Sequence, residues 1–227
     1  MTTLAFPAAV LWDMDGTLID TEPYWMEAEA DLARRFDVEW TYDDGLSLVG
    51  NPLDATAQVL IDRGVRLELG EIISTLVTQV SARAREHMPW LPDARGLLDQ
   101  VVAAGVPCAL VTMSIGALVD AFLDEAGDVF AAVVMGDQVR NGKPDPEAYV
   151  MAAQRLGVDP RDCVAIEDSP AGMRSAHASG AVTLAVRRHV PLPFVPGVSR
   201  LTSLDGVDPD GIARFFSGHV RDDFAAN

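Results

Sequence analysis

Five residues near the start of the chain, Asp13-Met14-Asp15-Gly16-Thr17, set two carboxylates one residue apart directly after an apolar run from Ala8 to Trp12. Two acids this close, in a crevice shielded from water, repel one another unless a cation or a shared proton compensates. A hard divalent ion with oxygen ligands meets that need. Magnesium suits it, because one or two carboxylates hold the ion while phosphate oxygens and water fill its remaining positions. Asp and Gly also favour plain turns, so this segment alone leaves a strand-ending turn open as the whole explanation.

Three later segments carry related chemistry. Val106 to Val111 runs into Thr112-Met113-Ser114, which offers a hydroxyl and backbone N–H groups that could cradle a phosphate or simply cap a helix. Gly142-Lys143-Pro144-Asp145-Pro146 bounds one lysine with prolines just before a helical stretch, and the restricted backbone helps to pre-place the ammonium. Cys163 to Ile166 ends in Glu167-Asp168-Ser169, two further acids that could serve a site or the dipole of the helix they precede. Each segment has a structural explanation by itself. All of them at successive strand ends point to one site.

The elements that must position these residues follow from apolar patterning. Ala8 to Trp12, Val106 to Val111, Ala131 to Met135, Cys163 to Ile166 and Ala181 to Val186 are short continuous apolar runs, the pattern of strands covered on both faces. Asp93 to Ala104, Pro146 to Leu156 and Ser169 to Ser179 are helix-length, and each is followed by a glycine, at 105, 157 and 180. The alternation predicts a Rossmann-like α/β core, a doubly wound parallel sheet whose ligands bind at the carboxyl ends of its strands.

Residues 21–89 break the alternation. No strand run occurs there, Ile72, Ile73, Leu76, Val77 and Val80 share one helical face, and Trp25, Glu29 and Leu32 mark an earlier helix. Roughly 70 residues far exceed the dozen or so that a crossover between neighbouring strands needs. The expectation is a core domain of residues 1–20 and 90–227 with an inserted helical cap domain of residues 21–89, linked through Glu22-Pro23 and Pro89 to Pro92. Helices that merely cover one face of the sheet are the alternative.

With 34 acidic against 17 basic residues the net charge is −17, which disfavours nucleic acid and anionic membrane surfaces as partners. Such a protein binds a small anion only with local help from a metal ion, a lysine or backbone N–H groups. Cys108 and Cys163 sit inside apolar runs and are expected as reduced core thiols. The first residues lack a basic stretch followed by an apolar one, and no segment reaches about 18 uninterrupted apolar residues, so neither a secretory signal nor a membrane span is expected and the predicted location is cytoplasmic. His87, His177, His189 and His219 lack ligand spacing, which gives no support for zinc.

The ordered set Asp13-x-Asp15-Gly16-Thr17, Thr112, Lys143-Pro144 and Glu167-Asp168 resembles the haloacid dehalogenase superfamily of phosphatases and phosphomutases, over essentially the whole chain. The insert also falls where that family's helical cap type lies, between the first and second motifs. The resemblance implies a mobile four-helix cap and magnesium held by Asp13, the backbone carbonyl of Asp15, and Asp168. It implies Asp13 as the nucleophile that forms an aspartyl-phosphate, Asp15 as acid and then base, and Thr112, Met113 and Lys143 on the phosphate. Glu167 would be an outer partner of the metal site. Asp15 argues against the dehalogenase branch, which lacks this second acid.

Specificity would lie in the cap, at Trp25, Asn51 and Leu53. Asp20-Thr21-Glu22-Pro23-Tyr24 is similar to the cap entrance of β-phosphoglucomutase, yet Trp25 stands where that mutase has histidine, and Leu53 where its cap has an arginine gripping a distal phosphate. The expectation is therefore a magnesium-dependent phosphatase acting on a small phosphorylated metabolite, a sugar phosphate or similar monoester, with a sugar phosphomutase as the alternative. A phospho-receiver module is a weaker rival, because there the acidic pair precedes the phospho-acceptor and the lysine comes last, whereas Glu167-Asp168 follows Lys143. No sequence feature sets the oligomeric state.

Overall fold

The computed structural model describes residues 5–49 and 52–225. In chain order the strands are β1 (Ala9–Trp12), β2 (Cys108–Val111), β3 (Ala132–Val134), β4 (Cys163–Glu167), β5 (Val182–Val186) and β6 (Ser199–Leu201). The helices are α1 (Glu22–Arg35), α2 (Tyr42–Leu46), α3 (Leu53–Arg63), α4 (Leu69–Glu86), α5 (Pro92–Ala103), α6 (Ala117–Ala126), α7 (Glu147–Leu156), α8 (Pro170–Ser179) and α9 (Pro209–Phe216). These elements form two compact units. One runs through Ile19, Trp90–Ile115 and from Ala126 onward; the other is Asp20–Pro89 with Gly116–Glu125.

The first unit is built on a parallel sheet in the order β3-β2-β1-β4-β5-β6. Every residue of β1, β2 and β4 is buried, as strands covered on both faces require. The chain winds outward from β1 through β2 to β3 and then returns to β4 on the other side of β1. The loops after β1 and β4 therefore open a crevice at the carboxyl edge, where doubly wound sheets bind ligands. β2 begins at Cys108 and not at Val106, because Pro107 has no N–H for the ladder; its carbonyl still accepts the Val10 N–H at 2.9 Å. β4 runs one residue past the apolar run, which sets Glu167 at the strand's end, in register with Ala185 of β5.

The alternating helices follow the predicted punctuation. α7 and α8 end at Gly157 (φ 71°) and Gly180 (φ 94°), both in the left-handed region that glycine adopts without a Cβ penalty. α8 opens with the Ser169 hydroxyl accepting the Gly172 N–H at 3.0 Å. Asp93, in the first turn of α5, receives Arg188 at 2.8 Å, the Ser203 hydroxyl at 2.9 Å and the Leu204 N–H at 2.9 Å, which ties α5 to the segments after β5 and β6. Beneath α7 the core is rich in alanine (Ala109, Ala132, Ala148, Ala152, Ala165), so the helix lies close to the sheet, and Tyr149 is the aromatic side chain of that cluster. Cys108 and Cys163 are buried free thiols, pushed up by burial to about 11 and about 12.

β6 and α9 were not legible as elements. Ser-Arg-Leu has no apolar run, and β6 is completed by the segment that follows α9. The Arg200 N–H donates to the Arg221 carbonyl at 2.9 Å, the Asp223 N–H returns to the Arg200 carbonyl at 2.9 Å, and the Arg200 guanidinium pairs with Asp222 at 2.7 Å.

The second unit is helical. On α4 the predicted stripe is present, with Ile72, Leu76 and Val80 buried and Ile73 and Val77 half-buried. Arg83 of α4 bonds Asp31 of α1 at 3.0 Å and the Tyr24 carbonyl at 3.3 Å. α6 meets Arg85 through the Ala117 carbonyl at 3.5 Å and Asp124 at 3.6 Å. The buried face of α1 includes Glu29, whose Oε2 has no hydrogen-bond partner. No helix among the described residues is long and apolar enough to cross a membrane.

Candidate active site

Asp13 follows the last residue of β1, and its N–H donates to the Ile166 carbonyl of β4 at 3.1 Å, which fixes the residue at the mouth of the β1–β4 crevice. Three residues on, Gly16 adopts φ 82°, and a Cβ there would overlap the Asp168 carboxylate. Glycine is therefore needed where the loop after β1 passes the loop after β4. Lys143 arrives from the proline-bounded loop before α7 with its side chain only 6% exposed. Its ammonium donates to Asp13 Oδ1 at 2.6 Å, to Glu167 Oε1 at 2.6 Å and to the Val111 carbonyl at 2.9 Å, so all three N–H bonds have acceptors.

Glu167 is engaged at both oxygens. Oε1 accepts Lys143 and also the Tyr149 hydroxyl at 2.8 Å. Oε2 accepts the Asp168 N–H at 3.1 Å, the Ser169 N–H at 3.3 Å and the Ser169 hydroxyl at 3.2 Å. Gly172 makes room for this carboxylate, which a Cβ there would overlap. Asp13, Glu167 and Asp168 bring carboxylate oxygens within 4.8 Å of one another, and all three residues are buried.

Three carboxylates against one ammonium leave the pocket short of positive charge. Burial first, and the neighbouring Glu167 second, lift the Asp13 carboxyl to about 7 even though Lys143 pulls the other way. Burial, then Asp13 and Glu167, hold Asp168 well above the usual carboxylate range. For Lys143 burial disfavours the charge, but Asp13 and Glu167 outweigh it and raise the pKa, so the ammonium persists. Burial and the Glu167 charge also raise Tyr149, which keeps its phenol a donor.

This donor set fits a hard divalent cation. Asp13 Oδ2 is buried without a hydrogen-bond partner, Asp168 lies beside it, and a second positive charge would lower the cost of ionising both. Glu167, with both oxygens committed to protein donors, is built to anchor Lys143.

Asp13, Asp15, Thr112, Met113, Lys143, Glu167 and Asp168 all lie in the first unit, at the carboxyl ends of β1, β2 and β4 and in the loop before α7. Asp15 Oδ2 accepts the Ser114 hydroxyl at 2.7 Å. Thr112 is buried, and its Oγ1 accepts the Ser114 N–H at 2.9 Å. The Met113 sulfur accepts the Lys143 N–H at 3.4 Å, while Gly136 leaves room for the Met113 carbonyl. Trp25 on α1 and Leu53 at the start of α3 lie in the second unit and are half-buried; Asn51 lies outside the described residues. The sequence reading did not single out Ser114 as a partner of Asp15, nor Tyr149 at all. The one available signal for Tyr149 was a hydroxyl-bearing ring on the apolar face of the helix that follows the lysine loop.

A family profile for haloacid dehalogenase-like hydrolases matches residues 10–186. Fructose-1-phosphate phosphatase YqaB of Escherichia coli (strain K12) is 31% identical over 185 residues, covering 79% of this chain and 96% of its own. A bifunctional riboflavin kinase/FMN phosphatase of Arabidopsis thaliana is 31% identical over 205 residues, or 88% of this chain, and the chain spans only 52% of that protein's length. Among solved structures, a Thermotoga maritima protein provisionally named a β-phosphoglucomutase is similar with a TM-score of 0.73 at 28% identity, over 92% of this chain and 98% of its own.

Proposed function

From the premise that the chain belongs to the haloacid dehalogenase-like hydrolases, we propose that it is a magnesium-dependent phosphatase that hydrolyses a small phosphorylated metabolite through an aspartyl-phosphate on Asp13. The observation that carries this reading is the state of Asp13, with Oδ1 held by Lys143 at 2.6 Å and Oδ2 buried without a partner. A buried carboxylate oxygen with no donor is costly to ionise, and its open side is left for an electrophile. Phosphorus in a phosphate ester is that electrophile.

In the first step an Asp13 carboxylate oxygen bonds to phosphorus, the bond between phosphorus and the ester oxygen breaks, and Asp15 gives its proton to the departing oxygen. In the second step Asp15 takes a proton from water, the water oxygen bonds to phosphorus, and the Asp13–phosphorus linkage breaks to release inorganic phosphate. The Ser114 hydroxyl, 2.7 Å from Asp15 Oδ2, fixes the orientation of that acid and base. Lys143, kept charged and anchored by Glu167, offers an N–H to a phosphoryl oxygen in exchange for its bond to Asp13. Because Thr112 Oγ1 accepts from Ser114, its own proton is left for the phosphate, beside the backbone N–H of Met113. Asp13, the backbone carbonyl of Asp15, and Asp168 would hold magnesium. When bound, the ion neutralises phosphoryl charge, so that an anionic nucleophile can approach.

Residues 21–89 are read as a cap domain and residues 1–20 and 90–227 as the core domain, with Trp25, Asn51 and Leu53 as the residues that set specificity. The similarity to a fructose-1-phosphate phosphatase supports a sugar phosphate or a related monoester. A sugar phosphomutase is the second reading, favoured by the similarity to the Thermotoga maritima protein.

The test is release of phosphate from p-nitrophenyl phosphate and a panel of sugar phosphates in the presence of magnesium. The parent should turn over and Asp13→Ala should not. An Asp13→Ala protein as active as the parent, or a parent inert on every monoester, would sink the reading. Conversion of glucose 1-phosphate to glucose 6-phosphate without free phosphate would select the mutase.

A further inference from the structure

Tyr149 is fully buried, yet it spends its hydroxyl on the same Glu167 oxygen that holds the Lys143 ammonium. Its ring also lies under that ammonium, with the Lys143 nitrogen 5.3 Å from the ring centroid. Glu167 Oε2 is fixed by two backbone N–H groups and the Ser169 hydroxyl, so the carboxylate can still pivot only through Oε1. Two donors meet there: one is the charged lysine, on a long unbranched side chain, and the other is the phenol of α7. Without the phenol, Oε1 carries its full charge toward Lys143 alone and draws the ammonium away from Asp13, toward β4.

We propose that Tyr149 is a positioning residue for phosphoryl transfer: by sharing Glu167 Oε1 it holds the carboxylate in place and keeps Lys143 centred between Glu167 and Asp13. The proposal rests on the reading of Lys143 as a phosphate-binding group. The small neighbours Ala148, Ala152 and Ala165 leave room for a large ring to reach from α7 to the carboxyl end of β4, where a bulkier core would close that path.

Tyr149→Phe keeps the ring and its packing and removes only the hydroxyl. The measurement is a cycle of four proteins, parent, Tyr149→Phe, Glu167→Gln and the double variant. Each is assayed for kcat and KM on the best monoester found for the parent, and for inorganic phosphate binding by calorimetry with magnesium present. Loss of one hydrogen bond to a charged group should lower kcat and phosphate affinity by about tenfold, with circular dichroism unchanged. On the Glu167→Gln background the same substitution should change neither by more than about twofold. A fully active Tyr149→Phe protein, or an equal loss on both backgrounds, overturns the proposal while leaving the phosphatase reading intact. A parent that neither hydrolyses monoesters nor binds phosphate overturns both.

Discussion

Replacing Glu29 with glutamine should make the protein more stable, and increasingly so as the pH rises. Glu29 is 4% exposed, its Oε2 has no partner, and even a Cβ added at Gly45 would stop 3.5 Å from that oxygen. Burial first, and the charge of Glu22 second, lift its carboxyl from 4.5 to about 8. Because the folded-state pKa is raised, the folded protein keeps a proton that the unfolded chain has already lost. Stability therefore falls as pH rises from the unfolded value toward about 8 and is level above it. At about 1.4 kcal/mol per pH unit, the ionisation costs about 1 kcal/mol at pH 5.5 and about 5 kcal/mol above pH 8. Glutamine has nearly the same shape and never ionises, so the gap between Glu29→Gln and the parent should widen by about 3–4 kcal/mol between pH 5.5 and pH 8.5. Urea unfolding followed by helical circular dichroism measures it, as a difference in midpoint at equal slope. A gap of the same size at both pH values refutes the reasoning, since it would mean that shape or polarity, and not the proton, sets the difference.

Two further outcomes follow from close approaches and ion pairing. Gly16→Ala should strip the protein of magnesium-dependent thermal stabilisation, because its Cβ overlaps the Asp168 carboxylate and its backbone sits at φ 82°; a melting temperature that still rises with magnesium as in the parent would count against the metal site. Asp93→Ala should cost about 2 kcal/mol at neutral pH by leaving the half-buried Arg188 guanidinium without its partner. Burial alone would raise the Asp93 carboxyl, but Arg188 and the Leu204 N–H outweigh it and hold it below 3.8, so its contribution is present above that value and lost as pH falls through the folded-state pKa. The variant's acid unfolding should accordingly be shallower than the parent's.

What was legible in the sequence tracks what local pattern can encode. β1, β2 and β4 were visible because a strand covered on both faces must be apolar throughout, and β6 was not because Ser199-Arg200-Leu201 has no apolar run and its outer edge is paired by a segment some twenty residues later. Asp13, Lys143, Glu167 and Asp168 stood out because parallel strands deliver their following residues to one edge, so chemistry-bearing types recur at that point in the pattern. Their wiring was hidden. That Lys143 uses all three N–H bonds on Asp13, Glu167 and Val111, or that Tyr149 joins them, depends on side-chain reach across four elements. Glu29 was readable as a helix position on the face of Leu32, but that its carboxylate has an oxygen without a partner depends on packing within the helical unit, which periodicity does not record.

The partnership between β6 and Arg221–Asp223 has a bearing on handling the protein. β6 is the last strand of the sheet, and its outer rim is occupied by the Arg200–Asp222 bridge and flanked by the Asp223 carboxylate, which accepts the Thr202 N–H at 3.0 Å. Left uncovered, such a rim is a template on which a second chain can stack. The short Arg-Asp-Asp stretch works as a selvedge, finishing the weave so that it neither frays nor takes up foreign thread, and a purification tag placed directly after it is safer than one that replaces it.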